Sequence, residues 1–131
     1  MPRRVLIVAV AVVAAGSLSA CGSQSISVAS NDPTYRGAQL FAERCSGCHT
    51  LDKVGAQGSA TKVRDRERVD GPNFNVRKEQ VDQVLYAIRN GGFSGAIMPE
   101  NIVVGKDAQA VAEFLAKYSG LKAPKSSSSS G

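Results

Sequence analysis

The chain has no tryptophan, three tyrosines and four phenylalanines, so it has few large rings with which to build a core. It has one histidine, which excludes a metal held by two histidines of the same chain. Three cysteines and that histidine make a four-ligand structural zinc site of cysteine and histidine possible only if every one of them is used. There is also no apolar run long enough to span a bilayer comfortably. The longest, "VLIVAVAVVAA" at residues 5–15, has signal-peptide length.

That run follows the basic "MPRR" and precedes "LSAC", residues 18–21. Basic, apolar and small-residue segments in this order predict export, with residues 1–20 as a signal peptide. The cysteine directly after the cleavage site resembles the lipobox of bacterial lipoproteins, a family in which this thiol takes a diacylglyceryl group. The resemblance implies lipidation at Cys21 and anchoring at the outer (periplasmic or extracellular) side of the bacterial cell membrane. The other reading is an uncleaved anchor helix with an incidental cysteine. Arg3 and Arg4 leave a twin-arginine export route open. Without residues 1–20 the chain keeps fourteen basic and eleven acidic residues, a net charge of +3. An excess that small excludes a nucleic-acid partner as the leading expectation.

Residues 21–32 read as the lipidated cysteine and a flexible tether, because "GSQSISVASND" is small and polar with no helical stripe. As a free chain its eleven residues would span roughly 15–20 Å. Residues 122–131 form a Ser-rich tail, expected to be disordered. The domain is then 33–121. Three helices are predicted within it. The first follows "NDP", with Asp32 as N-cap and Pro33 at the first helical position, and runs into Cys45. The second carries Val81, Val84, Leu85 and Ile88 on one face and ends at "NGG". The third repeats that spacing with Val111, Phe114, Leu115 and Tyr118 and stops at Gly120. The only strand candidate is the short "NIVV". The loop of about 25 residues between the first two helices is too long for a compact domain unless something organises it. So small a domain needs a staple or a cofactor.

The scarce residues are concentrated in "ERCSGCHT", which puts Cys45, Cys48 and His49 within five positions. A thioredoxin-like pair belongs in a βαβ setting, and none is available here. Structural zinc needs a fourth ligand, and a plain disulfide or dithiol leaves the adjacent histidine unexplained. C-x-x-C-H is the attachment signature of c-type haem. Two thiols three residues apart in a helical turn can each bond one vinyl carbon, and the next residue projects its imidazole toward the iron.

With that motif the chain resembles the class I c-type cytochromes over residues 34–120. Gly37, Phe41 and Cys45 are spaced four apart, as in that family's N-terminal helix, where the glycine allows a close crossing with an aromatic of the last helix, here Phe114 or Tyr118. "DGPNF", residues 70–74, resembles the family's Gly-Pro-x-Leu segment, which implies that the Pro72 carbonyl accepts the Nδ1 proton of His49. "IMPE", residues 97–100, resembles the family's Met-Pro, which implies Met98 as sixth ligand. The resemblance implies an all-α cytochrome c fold: three main helices and long loops wrapped around one covalently bound haem c.

Met98 is the only methionine left once the signal is removed, and it sits in a Gly-rich loop off any helix face, where a core filler is less expected. An open or lysine-bound iron is the alternative. Lys62, Arg64, Arg66 and Arg68 alternate with apolar or acidic residues. If extended they would face one way, as a docking surface or a propionate contact, but a solvated loop half neutralised by Asp65 and Glu67 is the favoured reading. Two functions follow. One is a monomeric, membrane-tethered one-electron carrier, not an enzyme, working between partners such as a quinol-oxidising cytochrome bc complex and a terminal oxidase. The other is a haem sensor or enzyme with an exchangeable sixth ligand; no distal histidine or arginine pair supports it.

Overall fold

The three stretches of helical periodicity fold as three helices in the computed structural model, which describes residues 25–60, 63–93 and 97–122. The expected signal peptide, Cys21, Lys62 and the tail beyond Lys122 lie outside the described residues. Helix α1 is Tyr35–Arg44, α2 is Val81–Asn90 and α3 is Gly105–Tyr118. No helix among the described residues is long and apolar enough to cross a membrane.

The apolar positions read from the sequence are the ones that pack. On α1, Gly37, Ala38, Leu40 and Phe41 are buried; on α3, Ala108, Val111, Ala112, Phe114 and Leu115 are. These two helices cross closely because Gly37 has no side chain. A Cβ there would run into the Ala110 carbonyl and lie 2.7 Å from the Phe114 Cβ. Beside the crossing, the rings of Phe41 and Phe114 meet at 5.9 Å between centroids. Of the two aromatics expected at this crossing, Phe114 is the one that touches the glycine. Helix α2 buries Val84 and Ile88 and half-buries Val81 and Leu85. It starts on a reciprocal Gln80–Gln83 cap and ends at Gly91, whose φ of 67° suits a residue without a Cβ.

Two differences from the sequence reading have local causes. Helix α1 begins at Tyr35, two residues later than Pro33, because the Asp32 carboxylate accepts hydrogen bonds from the Thr34 N–H (2.8 Å) and hydroxyl (2.7 Å) and holds 32–34 as a turn. The segment 101–104 is not a strand. It is an irregular lead into α3, with Val103 buried and Asn101 at φ 54°. The strands are instead Thr50–Leu51 and Ala56–Gln57, paired antiparallel with Thr50 opposite Gln57 and Leu51 opposite Ala56. Two-residue strands are too short to leave an alternating pattern in a sequence.

The expected tether also differs over its described part. Residues 25–32 lie against the domain. Val28 is buried, Ile26 packs on the core, and both the Ser27 N–H (2.8 Å) and hydroxyl (3.1 Å) donate to the Lys53 carbonyl. Two apolar residues among the serines were enough to dock a segment that composition alone marks as free. Asp32 closes it onto the end of α3, accepting from Lys117 Nζ at 2.7 Å and the Tyr118 hydroxyl at 2.6 Å.

The Lys117 ammonium, then the Tyr118 hydroxyl and the Thr34 donors, hold the Asp32 carboxyl well below the usual carboxylate range. A depressed folded pKa contributes stability that is complete above the unfolded value of 3.8 and is lost as the pH falls below it. Asp32→Asn should therefore be less stable than the native chain at pH 7, and the gap should narrow steadily as the pH falls below about 5. Urea unfolding at each pH measures it; a gap independent of pH would show that the carboxylate charge is not what Lys117 and Tyr118 hold.

Candidate functional site

Helix α1 runs directly into the Cys-x-x-Cys-His segment. Cys45 is its C-cap, with its N–H bonded to the Phe41 carbonyl at 2.9 Å. The chain then turns once more, as the N–H groups of Cys48 (3.2 Å) and His49 (3.0 Å) both donate to the Cys45 carbonyl. Both thiols are unpaired. Cys45 is half-buried and Cys48 exposed; desolvation, with Cys48 nearby, pushes the Cys45 thiol up to about 12. It is therefore held protonated at neutral pH.

A second stretch is laced along this one. The Gly71 N–H donates to the Cys48 carbonyl (2.7 Å) and the Phe74 N–H to the Thr50 carbonyl (2.9 Å), while Thr50 and Asn73 form a parallel bridge. Between these two backbone bonds, His49 Nδ1 lies 3.1 Å from the Pro72 carbonyl oxygen. A carbonyl can only accept, so Nδ1 carries the proton and Nε2 keeps a free lone pair. The ring is sandwiched as well: it stacks on Phe74 with centroids 4.7 Å apart and planes 16° apart, and Gly71 lies so near that a Cβ would enter the ring's envelope. Burial pushes the His49 pKa down, the Pro72 bond opposes this, and the charge of Arg77 adds to the lowering. The imidazole is thus neutral at pH 7, the form that ligates a metal.

Cys45, Cys48, His49, Pro72 and Met98 all line one cavity of about 310 Å³. Its walls are largely apolar and include Phe41, Val84, Ile88, Val111 and Leu115. Met98 reaches it from the segment after α2 and is half-buried against the core. That segment is pinned where the Asn101 N–H donates to the Ile88 carbonyl (2.7 Å) and where Gly91 packs on the Met98 carbonyl, 2.7 Å from where a Cβ would stand. Two thiols, a neutral imidazole with its Nε2 free, and a thioether in an apolar cavity of ordinary ligand-site size are a donor set that fits a haem.

The cytochrome c family model matches residues 35–119 of the chain. The chain belongs to the cytochrome c family. No curated protein and no solved structure matches it. Proteins of this family are electron carriers built on a covalently bound haem c, and Cys45 and Cys48 of this cytochrome stand at the spacing that binds it.

The cavity also gathers residues with no assigned role in the sequence reading. Phe74 was legible only as part of "DGPNF"; nothing in its spacing announced that it would stack on the histidine. Glu79 is 4% exposed and pairs with Arg77 at 2.7 Å; burial raises its pKa and Arg77 opposes the rise. Just before a helix, an acidic residue reads as an ordinary helix-start charge, so its burial left no signal. The basic loop is not extended: Val63–Asp65 forms a 3₁₀ turn, which breaks the alternation that would align its cations. Arg64 pairs with Asp65 at 3.4 Å, whereas Arg66 and Arg68 join Arg44 and Arg77 at the cavity lining.

Gly71→Val should force the His49 ring off the Pro72 carbonyl. We expect a loss of about 1–3 kcal/mol of stability, the usual cost of overpacking, and a ferrous haem spectrum that loses low-spin character. An unchanged spectrum and unfolding midpoint would show that Gly71 does not set the ring's position.

Proposed function

We propose that this cytochrome is a membrane-tethered one-electron carrier, in which Cys45 and Cys48 would hold the haem covalently and His49 and Met98 would ligate its iron. The observation that supports it best is the pairing of a neutral His49, its Nδ1 proton committed to Pro72, with Met98 in the wall of the same cavity. The bound haem supplies the one-electron iron couple. The chain's residues fix the imidazole, offer a soft thioether and surround the site with apolar walls that keep water from it. A thioether ligand favours the reduced state and raises the potential, and that suits a carrier taking electrons from a quinol-oxidising cytochrome bc complex and giving them to a terminal oxidase.

Lipid on Cys21 would place the domain on the outer side of the cell membrane that houses such complexes. The support is the order of basic, apolar and "LSAC" segments. A diacylated cysteine holds a protein stably, where a single chain binds only marginally.

Met98→His should keep the iron low-spin and lower the midpoint potential by on the order of a hundred millivolts, measured by redox titration of the haem bands. An unchanged potential excludes Met98 as ligand, and ready carbon monoxide binding by the native ferrous protein would favour the sensor or enzyme reading. Cys21→Ala should move the protein to the soluble fraction with its haem spectrum intact; a variant that stays with washed membranes is held by an uncleaved helix instead.

A further inference from the structure

The docking of residues 25–32 changes what an anchor at Cys21 would do. A free tether of eleven residues would let the domain turn any face to the membrane. Here the segment is fixed to the domain from its buried Val28, through the Ser27–Lys53 hydrogen bonds, to the Asp32 clamp on Lys117 and Tyr118. Only four residue steps separate Cys21 from Ser25. Fully extended they reach at most about 14 Å. The anchor must therefore sit close to the surface on which Ser25 lies, beside Gly55 in the turn between the two strands.

That surface has a definite chemistry. Ser27, Lys53, Tyr118, Leu121 and Lys122 line one shallow recess. Lys53 and Lys117 both lie over the Tyr118 ring, at 5.4 and 5.1 Å from its centroid. Leu121 is 62% exposed. Asp32 pairs with Lys117 and Asp52 with Lys122, and Lys53 adds a further positive charge. A mixed rim of lysines and an exposed leucine suits the interface of a bilayer, where the ammonium groups meet anionic headgroups and the alkyl stems remain in contact with apolar matter. The charge excess is small, and a free domain would bind such a surface weakly. A short leash makes the encounter intramolecular and raises its effective concentration. None of the residues of this recess lines the haem cavity.

We propose that residues 25–32 are an orienting strap that lays the face formed by Lys53, Lys117, Leu121 and Lys122 on the anionic surface of the membrane holding Cys21, and so leaves the haem cavity free for redox partners. This rests on the anchoring proposed above. It differs from a free shuttle in one respect that can be measured: the domain meets the bilayer by one face only. The attraction falls off within a Debye length, about 8 Å at physiological ionic strength, so a longer leash, which lowers the effective concentration of the face near the bilayer, weakens it.

The test uses the full lipidated holoprotein, whose own cysteines are all engaged by lipid or haem. Single nitroxide labels are placed through Leu121→Cys on the proposed face and through Tyr86→Cys, an exposed position on α2 outside it. The protein is reconstituted on vesicles of phosphatidylglycerol and phosphatidylcholine, and on phosphatidylcholine alone. Collision with oxygen, which partitions into lipid, is compared with collision with an aqueous nickel chelate. On anionic vesicles the label at 121 should gain oxygen collisions and lose nickel collisions, while the label at 86 is unchanged. Inserting eight Gly-Ser residues after Ser23, which adds reach on the order of 15 Å and leaves the strap intact, should weaken the contrast roughly five-fold, and Val28→Asp should abolish it. Equal accessibility at 121 and 86 in vesicle-bound protein would overturn the orientation and leave the anchoring standing. An equal contrast on phosphatidylcholine alone would overturn the role of the lysines. Recovery of the full chain in the supernatant would overturn the anchoring, and this proposal with it.

Discussion

The hydrogen bond from His49 Nδ1 to the Pro72 carbonyl constrains everything around the cavity. It settles the tautomer, which leaves Nε2 as the only nitrogen with a lone pair. It also needs a backbone carbonyl at a fixed place, and the backbone bonds Gly71 to Cys48 and Phe74 to Thr50 hold that carbonyl from both sides. A loop bonded at one point could swing; bonded on both sides, it cannot slide along the strand without breaking two hydrogen bonds. Phe74 and Gly71 then close on the ring as a packed face and a side without a Cβ. The long connection between α1 and α2 is organised by this lacing.

The helices serve the same site from the other direction. Phe41 contacts the rings of His49, Phe74 and Phe114, so one fully buried side chain links the crossing of α1 and α3 to the histidine. Gly37 makes that crossing close enough for Phe41 to reach both. Among the described residues the largest fully buried side chains are Phe41, Phe114, Leu51, Val54, Val111 and Ser119. A core this thin, beside a cavity of about 310 Å³, describes a domain in which a bound group completes the apolar interior. Helix α2 and the segment after it form the opposite contribution, with Gly91 ending the helix and pressing on the Met98 carbonyl in the same step.

Charge is distributed in two separate places. Arg44, Arg66, Arg68 and Arg77 lie along the cavity, with Glu79 as the one buried counter-charge. Lys53 and Lys122 line the other recess and Lys117 lies beside it over the Tyr118 ring, with Asp32 and Asp52 as partners of Lys117 and Lys122. A net charge averaged over the whole chain conceals this division.

The sequence by itself determined the three helices, because their apolar residues recur with helical period and their ends carry glycine: Val84 and Ile88 before Gly91, Val111 and Leu115 before Gly120. It also determined the Cys-x-x-Cys-His spacing of Cys45, Cys48 and His49, which is the spacing that covalent haem attachment needs within one turn of chain. These are local facts, carried by residues a few positions apart. Contacts between distant residues were decided only in the tertiary structure. Nothing near Phe74 in sequence says that its ring faces His49, and nothing near Glu79 says that it is buried or that its N–H donates to the Ser119 hydroxyl at 2.9 Å, forty positions away. The paired strands are two residues each, below the length at which alternation shows. The serine-rich segment before Asp32 reads as free because composition averages over it. Val28 docks all the same, since burying one side chain requires only that the fold offer a place for it, and beside it Ser27 is bonded to Lys53, 26 positions away.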